Sequence, residues 1–437
     1  MASMSLRFCI SSSDVRREGV PVRLACWQLG WLIPRIICTV ILAELLLRFM
    51  PLGYFAFRTW EAALCGNPSP NFGPFQPSRS FRIDRAYGDL ASMGNFPDLR
   101  QYHFEQFTTD RFGFRNPPGF ADMSPPDIIL AGSSFSAGCG VSDDQTLSAQ
   151  LGAISHRTAY NIAPMPITLA GIRAIAQRLE MPDGLVIYEF LDRLDVPIGP
   201  VEVDNRPGRV EACFGPRVAA QYMYWRQALW LQLHSVSPLQ ILAQRAMKTV
   251  EDSRLLPNSH ARDVVSGRLR NGDVMLFLHE EVDKRVSESE GEREVEYFTR
   301  LSHELHKDKL RLLVLIVPTK YTVYGPLLLE TIPSARDGAS RSEKVEQALR
   351  AGNIDVLNLT AALRRRAAED LVGGEYVYYR DDTHWNARGI ACAAEEVRRK
   401  LSRERQETGN AHEGPNGSRP TGRSTPNTWQ RTRAGAT

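Results

Sequence analysis

The sequence predicts an α/β protein built on a parallel sheet, and three observations carry that expectation. Short apolar runs at residues 128–131, 185–190 and 312–317 have the unbroken hydrophobicity of strands covered on both faces. Stretches of helical period separate them, so strand and helix alternate. The first of these strands runs straight into Gly132-Ser133-Ser134, a small-residue turn at the sheet edge where such folds place their chemistry.

The bulk composition narrows the classes of function. The chain has 437 residues, 43% hydrophobic and 24% charged, ordinary values for a globular protein with a sizeable core. Net charge is +3 and the pI about 8.4. The arginines are scattered rather than striped, so nucleic acid is not an expected partner. Seven cysteines, none in a C-x-x-C pair, fit neither a zinc ribbon nor a disulfide-built scaffold.

Taken in order, residues 24–47 form an apolar run of about the ~20 residues needed to span a bilayer, interrupted by Arg35 and Glu44. Glu44 is placed to pair with Arg48, and arginines at 16, 17, 23 and 35 favour a cytoplasmic N-terminus. The expectation is an uncleaved transmembrane anchor over 24–50 after a cytoplasmic segment 1–23. Residues 51–126 are rich in Pro, Gly and aromatics, an irregular lead-in with short strands. A domain over 127–402 follows, with strands at 128–131, 159–162, 185–190, 312–317, 355–359 and 376–379. Helices are expected to start at 146, 169, 292, 342, 360 and 387. Residues 194–290 break the rhythm and read as a helical insertion. From 403 to 437 the chain is polar and without period, a disordered tail.

Two blocks carry chemistry. Residues 127–141, DIILAGSSFSAGCGV, present Ser134 between a strand and a helix start, whose N–H groups favour an anion. The same pattern also serves as a plain turn with an N-cap. No Gly-Lys-Ser/Thr follows, as a phosphate loop requires, and no G-x-S-x-G elbow is present. Residues 378–389, YYRDDTHWNARG, put aspartates two and three positions before His384. An acid so placed can hold an imidazole in the tautomer that accepts a serine proton. His303 and His306 lie three apart without the H-E-x-x-H pattern, and read as a solvated helix face.

Together the blocks resemble the SGNH/GDSL hydrolase superfamily. More narrowly, they resemble the SGNH domains of alginate O-acetyltransferases and related anchored proteins. Residues 132–136, GSSFS, resemble the nucleophile block, and Asp382-Thr383-His384-Trp385 the D-T-H-W block. Glu189 to Arg193 resembles a strand-end E-x-x-x-R, Pro318 to Lys320 with Tyr324 a P-x-K…Y segment, and residues 110–116, DRFGFRN, a G-F-R-N lead-in. The resemblance implies a three-layer, flavodoxin-like α/β/α fold. It implies Ser134 as nucleophile, His384 as base, and Asp382 (or, at the commoner superfamily spacing, Asp381) as orienting acid.

The departures bear on the oxyanion hole. Ser133 stands where Asp is usual, and the glycine and asparagine donors of the next blocks are missing. Asn161, Arg193 and Lys320 are the candidates for oxyanion or substrate contacts, and Arg193 has an alternative as a salt-bridge partner of Glu189. No cofactor or metal is implied. The expected reaction is acyl transfer or hydrolysis on an acetylated polysaccharide in the periplasm or outside the cell, with a membrane-bound O-acyltransferase as a candidate partner. The competing expectation is a catalytically degenerate domain that binds glycan or scaffolds an envelope complex.

Overall fold

The computed structural model describes residues 22–47, 63–64, 73–120, 124–164, 168–194, 196, 222, 237–253, 263–283, 291–332 and 341–412. Its centre is a five-stranded sheet of β3 (Ile128–Ala131), β4 (Ala159–Asn161), β5 (Gly184–Leu191), β8 (Leu310–Val317) and β9 (Val356–Asn358). The order is β4-β3-β5-β8-β9, and every neighbouring pair is parallel. Numbered within the sheet this is the 2-1-3-4-5 order of flavodoxin-like folds, whose order reverses between the first and third strands. Here that switch point lies between the ends of β3 and β5.

Alternation of side chains along each strand feeds two cores. Ile128, Leu130, Leu185, Ile187, Leu313 and Leu315 share one core, and Ile129, Val186, Tyr188, Leu312, Val314 and Ile316 the other. The first core is closed by the helices Leu147–Ser155, Thr360–Leu371 and Ala387–His412, and the second by Leu169–Arg178, Glu292–Lys307 and Arg341–Ala351. Both strand faces are therefore dry, which is why the strands read as continuous apolar runs.

Several expectations are refined or change. The helix expected near the N-terminus is present as α1 (Val22–Leu47). Yet among the described residues no helix is long and apolar enough to cross a membrane. Glu44 is committed within the protein: it accepts from Ser237 Oγ at 2.8 Å and from the Leu239 N–H at 3.3 Å. It thereby places a carboxylate at the N-terminus of the helix Pro238–Asp252. Arg48, its expected partner, lies outside the described residues.

The lead-in is ordered where described. β1 (Ser80–Ala86) and β2 (His103–Thr108) form an antiparallel hairpin, and α2 (Asp89–Met93) lies between them. The insertion holds a second hairpin, β6 (Val264–Arg268) with β7 (Val274–Leu278), closed by a tight turn in which Gly272 takes a positive φ. Most of the stretch 216–236 lies outside the described residues. Finally, residues 376–379 form no strand of the sheet. Tyr378 bridges Trp385 instead, and the Asn386 N–H bonds Val377 O, so the segment closes a loop on itself. The last helix continues past 403, to His412.

The lead-in hairpin is locked to that loop. Gly88 N–H donates to Asp381 Oδ2 at 2.9 Å and Gln101 N–H to the same oxygen at 2.8 Å. A Cβ on Gly88 would meet Asp381 O at 2.1 Å, so only glycine permits this approach. Gly88→Ala is expected to destabilise the fold by roughly 1–3 kcal/mol, the usual cost of overpacking, seen as a lowered urea midpoint. An unchanged midpoint would mean that the two loops do not touch in this way.

Candidate active site

The nucleophile turn is built from β3 outward. Ser133 is the N-cap of the short helix α3 (Ser134–Ala137), its hydroxyl accepting from the Phe135 N–H. Glu189, near the end of the adjacent β5, accepts from Ser133 N–H at 2.6 Å and from Ser133 Oγ at 2.9 Å. Burial pushes the Glu189 carboxyl up, and donors on Ser133 and Ser136 pull it back. A Cβ on Gly132 would lie 2.4 Å from Glu189 Oε2, so glycine is what lets the carboxylate reach under the turn. The strand-end glutamate thus holds the nucleophile turn rather than Arg193.

Arg115, from the G-F-R-N segment, fixes the far side. Its guanidinium donates to the carbonyls of Ala137, Gly138 and Val141. Asp110 gathers the segment by accepting from the Phe112 and Phe114 N–H groups and from Asn116 Nδ2. The β1–β2 hairpin supports the same loop: Glu105 accepts from the Gly140 N–H, and Asp143 from the Thr108 N–H.

The acid–histidine loop meets this turn across 250 residues of sequence. His384 Nε2 lies 2.8 Å from Ser134 Oγ. Its Nδ1 lies 2.6 Å from Asp382 Oδ1, which also accepts the His384 N–H at 2.9 Å. That contact requires the proton on Nδ1 and leaves Nε2 as an acceptor toward the serine. Phe135 packs on the imidazole with ring centroids 4.9 Å apart, and Trp385 Nε1 donates to Phe135 O. Asp382 and His384 are almost fully buried, whereas Ser134 is part-exposed.

The other predicted residues are engaged with protein groups. Asp381 binds the Gly88 and Gln101 N–H groups, so of the two adjacent aspartates it is Asp382 that meets the imidazole. Lys320 is fully buried beneath the loop, donating to Asp382 O at 2.8 Å and Arg380 O at 3.0 Å. Burial pulls its ammonium down to about 8, against the attraction of Asp381 and Asp382. Its expected substrate contact is corrected to a prop for the acid loop. Asn161 is likewise buried: its Nδ2 donates to Ser136 O at 2.7 Å and its Oδ1 accepts from the Ala163 N–H. Through the bond to Ser136 O it braces α3. Arg193 pairs with Glu281 at 3.0 Å, not with Glu189.

Sequence reasoning missed Asp89. It sits at the start of α2, gives its N–H to Asp382 Oδ2 at 3.0 Å, and accepts from Thr383 N–H and Oγ1 at 2.7 and 2.6 Å. Asp89, Asp382 and His384 offer ligand atoms within 4.8 Å of one another, a spacing open to a metal ion. Their oxygens already accept from N–H and O–H donors, so the trio reads as a hydrogen-bond relay.

Glu281 is also buried, and burial pushes its carboxyl up to about 7 in spite of Arg193. Between the ordinary value of 4.5 and about 7, the folded chain keeps a proton that the unfolded chain has lost. This group's contribution to stability therefore falls as pH rises through that window. Glu281→Gln is expected to flatten the decline in urea stability between about pH 5 and 7.5. A slope equal to that of the wild type would assign the decline to another group.

The comparisons with known proteins agree with this reading. Residues 272–425 match the family model described as SGNH hydrolase-like domain, acetyltransferase AlgX. No curated protein matches the chain. The match spans Lys320, Asp382 and His384 and begins after Ser134, so the serine's place rests on geometry. Over the segment that carries its acid and its histidine, the chain is thus similar to the SGNH hydrolase-like domain of acetyltransferase AlgX.

Proposed function

We propose that the protein is an SGNH-type serine acyl-ester enzyme, an O-acetyltransferase or acetylesterase acting on an acetylated polysaccharide. The observation that carries this is the unbroken line Asp382 Oδ1–His384 Nδ1, His384 Nε2–Ser134 Oγ, at 2.6 and 2.8 Å. Ser134 Oγ attacks the acyl carbon and its proton passes to Nε2. The Oγ–acyl bond forms, the bond to the alcohol oxygen breaks, and the imidazolium returns the proton to that oxygen. Water in the second step gives the free acid, and a sugar hydroxyl gives a new ester. Asp382 faces the imidazolium throughout.

Oxyanion stabilisation starts from the Ser134 N–H, which as the first residue of α3 has no acceptor within the helix. The similarity to a domain of an acetyltransferase supports an acyl ester as substrate; the polysaccharide and the periplasmic or extracellular setting belong to the proposal. One observation favours the non-catalytic glycan-binding alternative: Asn161, Arg193 and Lys320, the three candidates for oxyanion or substrate contacts, each bond to other protein groups. The absence of one such donor typically lowers the rate by about 10²–10³.

With acetyl esters and acetylated glycans as substrates, Ser134→Ala is expected to fall to background and Asp382→Asn by roughly 10⁴ in kcat. Mass spectrometry after quenching is expected to find an acetyl group on Ser134. Equal rates for wild type and Ser134→Ala, with no acetyl-serine, would favour the binding module.

A further inference from the structure

We propose that Asp89 is a second acid of this site, a positioning residue that acts on His384 through Thr383 and adds its charge to that of Asp382. The inference deepens the acyl-ester reading and rests on it.

The Thr383 hydroxyl has one proton, and Asp89 Oδ2 accepts it at 2.6 Å. A lone pair of the same oxygen is then left toward His384 Nδ1, 3.3 Å away. Asp89 Oδ2 is itself 3.9 Å from Nδ1. Asp89 Oδ1 meanwhile holds the Thr383 N–H, and the Asp89 N–H holds Asp382 Oδ2. One residue thus clamps both neighbours of the acid–histidine step, fixing the spacing of Asp382 and His384. Its carboxylate also lies near the same ring nitrogen that Asp382 meets.

The charge has a use at one moment. When Nε2 takes the serine proton, the imidazolium has the negative charges of both Asp382 and Asp89 near its Nδ1, each with its oxygens hydrogen-bonded. The other groups around the imidazole are Asp381 on its own loop, Lys320 beneath the Asp382 carbonyl and Glu281 beyond Lys320. Glu189 lies under Ser133, and Tyr379 stands in the field of Asp381 and Asp382. A spacer role for Asp89 would need only hydrogen-bond acceptors there; the second-acid role needs the charge.

Asp89→Asn keeps an acceptor and removes the charge. Titration of His384 by nuclear magnetic resonance in the full chain, assigned with His384→Gln, reads the effect without turnover. The midpoint of His384 is expected to fall by about half a unit to one unit in Asp89→Asn and to return in Asp89→Glu. The acidic limb of the pH–rate profile on acetyl esters is expected to follow, with kcat about tenfold lower and KM unchanged. A folded Asp89→Asn whose His384 titrates with the wild type would overturn the proposal. Should that variant fail to fold, Thr383→Val is expected to lower the same midpoint while Thr383→Ser keeps it, and an unshifted Thr383→Val also overturns it. Wild-type turnover no faster than Ser134→Ala would instead sink the acyl-ester reading, leaving the titration to judge Asp89.

Discussion

A carboxylate that must stay ionised out of water needs donors on each of its oxygens. Asp382 meets that requirement with groups from distant parts of the chain. Its own loop supplies the His384 N–H and Nδ1, the lead-in supplies the Asp89 N–H, and Lys320 binds its carbonyl from below. Remove any one, and the acid either tilts away from the imidazole or is left a buried, unmatched charge. The sheet positions the serine, while the lead-in and the Lys320 helix position the acid.

This division explains what the residues expected to touch substrate do instead: they act as internal supports. Asn161 braces α3 and Lys320 carries the acid loop, while Glu189 holds the turn that presents Ser134. Ser133, in place of the usual Asp, is the group Glu189 grips, so one departure from the pattern is answered by another residue. Opposite charge is concentrated too: Asp89, Asp381, Asp382 and Glu281 all act on the buried Lys320.

Much of the fold was legible because burial leaves a mark in composition. β3 runs over the expected residues, and β5 and β8 extend the expected strands by one or two positions at an end. The segment 376–379 misled because its aromatic residues look like a strand. Its backbone bonds go to residues five to nine positions on and to the Tyr324 hydroxyl rather than to a neighbouring strand, and periodicity does not distinguish the two. The serine and histidine were legible because both stand in specific blocks beside strand ends. Asp89 was not. Its signal is a Gly-Asp pair opening a helix, the same as an ordinary helix start, and its importance comes only from residues nearly three hundred positions away. The commitment of Glu44 to Ser237 was hidden for the same reason.

The contacts of Gly88 and Asp89 with Asp381 and Asp382 each span 293 residues. That separation sets a timetable for the nascent chain. At the ~5–20 residues per second of protein synthesis, the hairpin leaves the ribosome roughly 15–60 seconds before its partners are made. Until then Ser134 lacks its imidazole partner. The Ser134–His384 pair forms only after residue 384 is made, and the long loop closure this demands makes it a late event in folding as well.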